Sequence, residues 1–308
     1  MRPFLSHVSE SVWRLVVQPS PTAGTSASNT AGGQARLTRA VAPRGGGRAV
    51  RTFLESEFRL QLLGDWLLTA ADEPADTAEP IDLPAGPQHL IALLALNGRC
   101  ARTHTAATLW PDCTDEVAAA RLRAVLWRLR HRHVGVPPVL EIGDSSLSLA
   151  VDVDVDVDRF LDCAELLIRD HTDRGADEAE DAALVVLHSS ELLPGWYDDW
   201  VLAARERLQY LRLGALDALA TRRRRQRRTH EALQAARAAI SIEPLHESAH
   251  RTIVETHLDN GDLVEAINHY QRFQEMLGRE LGLPPSDLFR EVVSPYLAVA
   301  SRKVARTR

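Results

Sequence analysis

Four groups of side chains have types and spacings that suggest chemistry. The first is a run of arginines, Arg121, Arg123, Arg128, Arg130 and Arg132, with Trp127 and His131 among them. Guanidinium forks match phosphate oxygens and guanine edges. The second is His246 and His250, four residues apart, the spacing of two metal ligands on one helix face. A zinc site needs a third or fourth ligand, and none is in sight in the sequence. The third is VDVDVDVD, residues 151–158, where Asp152, Asp154 and Asp156 fit positions 1, 3 and 5 of a calcium loop. That loop also needs Gly at position 6 and Glu at position 12, where this chain has Val157 and Cys163. The fourth is Asp198-Asp199 beside Trp196, Tyr197 and Trp200. Adjacent carboxylates cannot flank a glycosidic bond, so packing of the aromatics into a helical domain is preferred.

Catalytic signatures are missing. No HExxH, GxSxG or GxxxxGK[ST] occurs, and Lys303 is the only lysine. Cys100, Cys113 and Cys163 are odd in number and widely spaced, which gives no disulfide framework or CxxC metal site and fits a reducing cytoplasm. The expectation is a cytoplasmic protein that is no enzyme and has no metal, no cofactor and no membrane span.

The arginines must be held by something. Thr114 or Asp115 can cap a helix that runs to about Arg132, before Gly135 and Pro137-Pro138. At about 100° per residue, Ala118, Leu122, Val125, Leu126 and Leu129 form its apolar face. Arg121, Arg128 and His131 point away from that face, with Ala124 and Trp127 between them. Arg123, Arg130 and Arg132 flank the stripe. Trp127 has two readings, contact with DNA or partial burial against the preceding helix.

The neighbouring elements are short. Phe58 to Leu68 reads as two strands around a Gly64-Asp65 turn, and Ile81-Asp82-Leu83 as a third strand broken by Gly86-Pro87. A helix is predicted from Gln88 to Leu96, and another from about Thr105 to Trp110. Residues 139–149 read as a hairpin. Small sheet, three helices and hairpin is the order of a winged helix-turn-helix, whose third helix enters the major groove.

Charge is partitioned along the chain. The net charge is −6, yet residues 88–138 carry seven arginines against three acids, and residues 139–200 carry three against 17. A locally basic segment can bind nucleic acid within an acidic protein. Residues 18–48 are rich in Gly, Ser, Thr, Ala and Pro, so 1–55 is expected to be a disordered extension, with no signal-peptide core.

FRLQLLGDWLLT, LPAGPQHLIALLALNGR and LWPDCTDEVAAARLRAVLWRLR resemble the OmpR-type winged helix of the Streptomyces antibiotic regulatory protein family. From Phe160 the pattern is helical, with helices predicted over 158–169, 177–190, about 200–226, 229–242, 246–259, 262–278 and 285–300. Glu231-Ala232-Leu233 and Glu265-Ala266-Ile267 lie 34 residues apart, the tetratricopeptide period. LLPGWYDDW and the stretch from Glu243 to Phe289 resemble the bacterial transcriptional activation domain.

The expected fold is therefore mainly α, a winged helix-turn-helix over 56–151, an all-α tetratricopeptide-like domain over 152–300 and a tail over 301–308. The expected activity is sequence-specific binding of promoter DNA through Arg121, Arg123, Ala124, Trp127, Arg128, His131 and Arg132. The resemblance implies recruitment of RNA polymerase and activation of secondary-metabolite genes such as those for antibiotic biosynthesis. Repeated sites, and self-association on DNA, fit this picture. The rival is a tetratricopeptide-like scaffold whose first domain no longer binds DNA. For Arg222 to Arg228, six arginines and one glutamine, two readings stand: a second nucleic-acid or polymerase contact, or a solvated helix end.

Overall fold

The computed structural model describes residues 57–71, 78–132, 139–169 and 176–305. The N-terminal extension lies outside them. The chain is mainly α, with ten helices among the described residues. Strands β1 (Phe58–Gln61) and β2 (Leu67–Ala70) pair antiparallel around Gly64. Gly64 sits at φ 105°, which an L side chain rarely adopts.

Helix α1 (Ala85–Asn97) begins three residues earlier than predicted. Pro87 does not break it, because amides in the first turn have no partner inside a helix. Gly86 lets the third helix approach: a Cβ there would stand 3.3 Å from Val125 Cγ2. The predicted strand at 81–83 does not form. Pro80 makes one bridge to Thr69 and Ile81 donates to Leu68, but helix α1 begins too soon for pairing to continue. After β3 (Cys100–Ala101) come α2 (Arg102–Leu109) and α3 (Asp115–Arg132). A hairpin of β4 (Leu140–Ile142) and β5 (Ser146–Leu149) follows, and β5 also pairs with β3. This is the winged helix-turn-helix order.

β6 (Val153–Val155) returns to the first sheet and pairs parallel with β1, in the order β2-β1-β6. Alternation puts Val153 and Val155 in the core and Asp154 outside it. Helix α4 (Asp156–Arg169) starts immediately and buries Val157, Phe160, Ala164 and Leu167, one stripe at helical spacing.

The rest is helical: α5 (Ala176–His188), α6 (Asp199–Arg225), α7 (Thr229–Ile242), α8 (Glu247–Asp259), α9 (Leu263–Leu281) and α10 (Asp287–Ala305). Ala232 and Ala266 are each the fourth residue of their helix, and both are fully buried. The 34-residue echo therefore marks equivalent positions in successive helix pairs, as in a tetratricopeptide stack. One buried cluster runs from Phe58 to Ile253, and a second joins Val254, Ala266, Tyr270, Phe273, Leu277, Phe289 and Val293.

Candidate nucleic-acid interface

Helix α3 splits its faces as its sequence dictates. Ala118, Leu122, Val125 and Leu126 are buried against the core, and Leu129 is half-buried. Asp115 and Glu116 occupy the first turn, where the positive end of the helix dipole favours acids. Arg121, Arg123, Ala124, Trp127, Arg128, Arg130 and His131 all lie on the outer side of the helix and are exposed. Ala124 leaves a low point where another backbone or a duplex can come close. Arg132 ends the helix, and its side chain lies outside the described residues. Arg121, Arg123, Arg128 and Arg130 pair with no acid among the described residues.

Trp127 is 59% exposed, so it is not packed against the preceding helix. Its ring stacks on His131, with centroids 4.7 Å apart and planes 19° from parallel. His131 Nδ1 lies 2.9 Å from the carbonyl oxygen of Trp127.

Two arginines outside the predicted interface fix the hairpin. Arg102 donates to the carbonyl of Gly143 through Nη2 at 2.9 Å and Nε at 3.2 Å, and its backbone amide donates to Ser145. Arg99 donates to Ser146 Oγ at 3.1 Å. The hairpin turn is thereby clamped to the start of α2. No signal in the sequence marks these contacts, which span more than 40 residues.

The acidic segment works as a joint. Asp156 accepts the backbone amides of Leu62 at 3.0 Å and Leu63 at 2.8 Å. Burial raises its pKa, while those hydrogen bonds and that of Val157 pull it down. Leu193 donates to Leu62 and Gly64 donates to Glu191, so the turn of the first sheet is held from the helical side too. Arg205 gathers the same loop by donating to the carbonyls of Leu192, Leu193 and Trp196.

The aromatics near Asp198 pack differently from expectation. Trp196 stacks on His89 of α1, with centroids 4.0 Å apart, and His89 Nε2 lies 3.4 Å from Asp198. Trp200 meets both rings edge-on. They join α1 to α6 rather than packing only within the helical region.

Residues 155–294 match the family model for the bacterial transcriptional activator domain. The helical half is similar to that family. The fold also resembles a solved structure, Mycobacterium tuberculosis EmbR in complex with low affinity phosphopeptide, with a TM-score of 0.60 and 15% identity. The similarity covers 79% of this chain and 65% of that one, so this chain spans just under two thirds of its length. No curated protein matches the chain.

Within the matched activator-domain segment the arginine run is not a solvated helix end. Arg223 is 5% exposed and pairs with Glu231 at 3.3 Å. Arg224 meets Glu255 at 3.1 Å and Asp259 at 2.7 Å, and Arg228 meets Glu231 at 2.7 Å. Arg227 donates to the carbonyl of Asp259. The run binds α6 to α7 and α8.

His246 and His250 point to different partners. His246 Nε2 lies 2.8 Å from Asp217 Oδ2, and that hydrogen bond raises its pKa despite burial. His250 Nε2 lies 3.0 Å from the carbonyl of Pro244, and its Nδ1 3.0 Å from His269 Nε2. A carbonyl can only accept, so His250 carries its hydrogen on Nε2 and accepts from His269. Burial lowers the pKa of both, that of His269 to about 4. Among the described residues no cluster of three or more His, Cys, Asp or Glu is placed to hold a metal. No described helix is long and apolar enough to cross a membrane.

Proposed function

We propose that this protein is a cytoplasmic, sequence-specific DNA-binding transcriptional activator built on an OmpR-type winged helix. It acts by binding and performs no catalytic step. The carrying observation is the exposed row of Arg121, Arg123 and Arg128 on α3, unpaired among the described residues, opposite the stripe that fixes the helix to the core. The clamped β4–β5 hairpin supplies the wing. The activator-domain match supports recruitment of RNA polymerase by α4 to α10. The resemblance to the Streptomyces antibiotic regulatory protein family points to secondary-metabolite genes as targets.

The test is binding of the purified protein to promoter fragments of its own genome at two salt concentrations. Discrete sites are expected. Replacing one phosphate-binding arginine by alanine should flatten the salt slope by about 0.9 on a double-logarithmic plot. Absence of any site-specific binding at either salt sinks the reading and leaves the scaffold.

A further inference from the structure

Trp127 and His131 form a preorganised pair on the outward face of α3. The stack fixes the imidazole plane. The hydrogen bond with the Trp127 carbonyl fixes its tautomer, because that oxygen only accepts and Nδ1 must carry the hydrogen. In the neutral ring Nε2 is then an acceptor. The duplex backbone, phosphate and deoxyribose, offers acceptors but no donor. In the major groove the donors are adenine N6 and cytosine N4. Of the groups a duplex offers, a neutral Nε2 on this face can thus pair only with base edges.

Trp127 presents a large apolar surface next to that acceptor, 59% exposed. The apolar group of the major groove is the thymine methyl. An A·T pair carries both an amino donor and a methyl. A C·G pair carries the amino group alone.

We propose that the Trp127–His131 pair reads an A·T base pair in the major groove. His131 Nε2 accepts from adenine N6, and the Trp127 ring packs on the thymine methyl. This rests on the DNA-binding reading above. It separates two duties on one helix: the arginines take phosphates and guanine, and the ring pair takes one A·T step.

The test uses the full chain on a duplex carrying a bound promoter site, at pH 8. Each A·T pair is changed in turn to G·C. In parallel, deoxyuridine replaces thymidine to remove the methyl, and unsubstituted purine replaces adenine to remove the amino group. Wild type is compared with W127A, H131A and H131Q, with thermal midpoints confirming that each folds.

One A·T position should cost wild type about tenfold when changed to G·C. Deoxyuridine at that position should weaken wild type and leave W127A unaffected. Unsubstituted purine should weaken wild type and leave H131A unaffected. H131Q should keep the adenine preference, because the glutamine amide also accepts from N6. The salt slope should be the same in all four proteins. If W127A and H131A weaken every duplex equally with a shallower slope, the pair touches backbone and the proposal falls. It also falls if both variants keep the wild-type base profile. Failure of wild type to bind any duplex is a separate result, which removes the DNA-binding reading itself.

Discussion

Two arginine-rich helical stretches of this chain look alike in sequence and differ in use. On α3 the arginines alternate with buried leucines and valines, and no acid meets them among the described residues. At the end of α6, Arg223, Arg224 and Arg228 turn toward Glu231, Glu255 and Asp259 of the following helices. Density of positive charge therefore does not identify a nucleic-acid surface. What separates the two is the sequence that comes next: acids on α7 and α8 return to the α6 run, whereas the hairpin after α3 brings Glu141 to Ser148 and not to an arginine of α3.

The largest effect that would sharpen this contrast is on binding. R121A with R128A should weaken specific DNA binding about a thousandfold, taking about 2 kcal/mol per arginine, with an unchanged thermal midpoint. An affinity within about threefold of wild type would erase the distinction. The mirror experiment is R223A. Arg223 is buried while Glu231 keeps Arg228, so the loss is that of a packed, hydrogen-bonded guanidinium, about 2 kcal/mol, and unfolding by urea should shift to lower concentration. DNA affinity measured at low temperature should stay as in wild type. Weaker binding with unchanged stability would make the α6 run a DNA-binding surface after all.

A smaller change tests the joint between the regions. D156A leaves the amides of Leu62 and Leu63 without their acceptor, at a cost of about 2 kcal/mol. D156N keeps one carbonyl oxygen and should lose less than half as much by the same denaturation measurement.

The smallest effect is on pH dependence, in the helical region alone. His246 has a raised pKa, so its pairing with Asp217 stabilises fully below the ordinary imidazole range and is lost as pH rises through its folded value. His269 has the opposite sign. Its pKa is lowered to about 4, so its contribution is present above the usual imidazole value of about 6.5 and is lost as pH falls toward about 4. Thermal midpoints measured from mildly acidic to mildly alkaline pH should show an acid-side fall that H269Q reduces. D217N should flatten the decline on the alkaline side. An unchanged acid limb in H269Q would mean the fall comes from other groups.

Much of the helical frame is legible in the sequence because apolar spacing is a local signal. The predicted helices from 158 onward lie within a few residues of those observed, and the buried stripe of α3 is the one its period specifies. The start of α1 differs from the prediction because Pro87 sits in the first turn, where proline is tolerated rather than breaking. The strand predicted at 81–83 fails because three alternating residues carry too little information. The pairings of Asp156, Arg102 and Arg223 are not legible, since each joins residues that only the folded chain brings together. The same holds for Trp196 and His89. The stack of Trp127 on His131 has a visible basis, four residues apart on one helix, but the tautomer that the Trp127 carbonyl fixes does not.

The parallel pairing of β1 with β6 has a consequence for the chain during synthesis. A ribosome that has released residues up to 151 has delivered both strands of the first hairpin, α1 to α3 and the wing. It has not delivered the strand that closes the first sheet, nor the carboxylate that takes the amides of Leu62 and Leu63. The loop at Glu191 to Leu193 arrives later still. The nascent N-terminal unit thus waits on the helical region to finish it, and a fragment cut at the expected domain boundary would carry a raw sheet edge open to other chains.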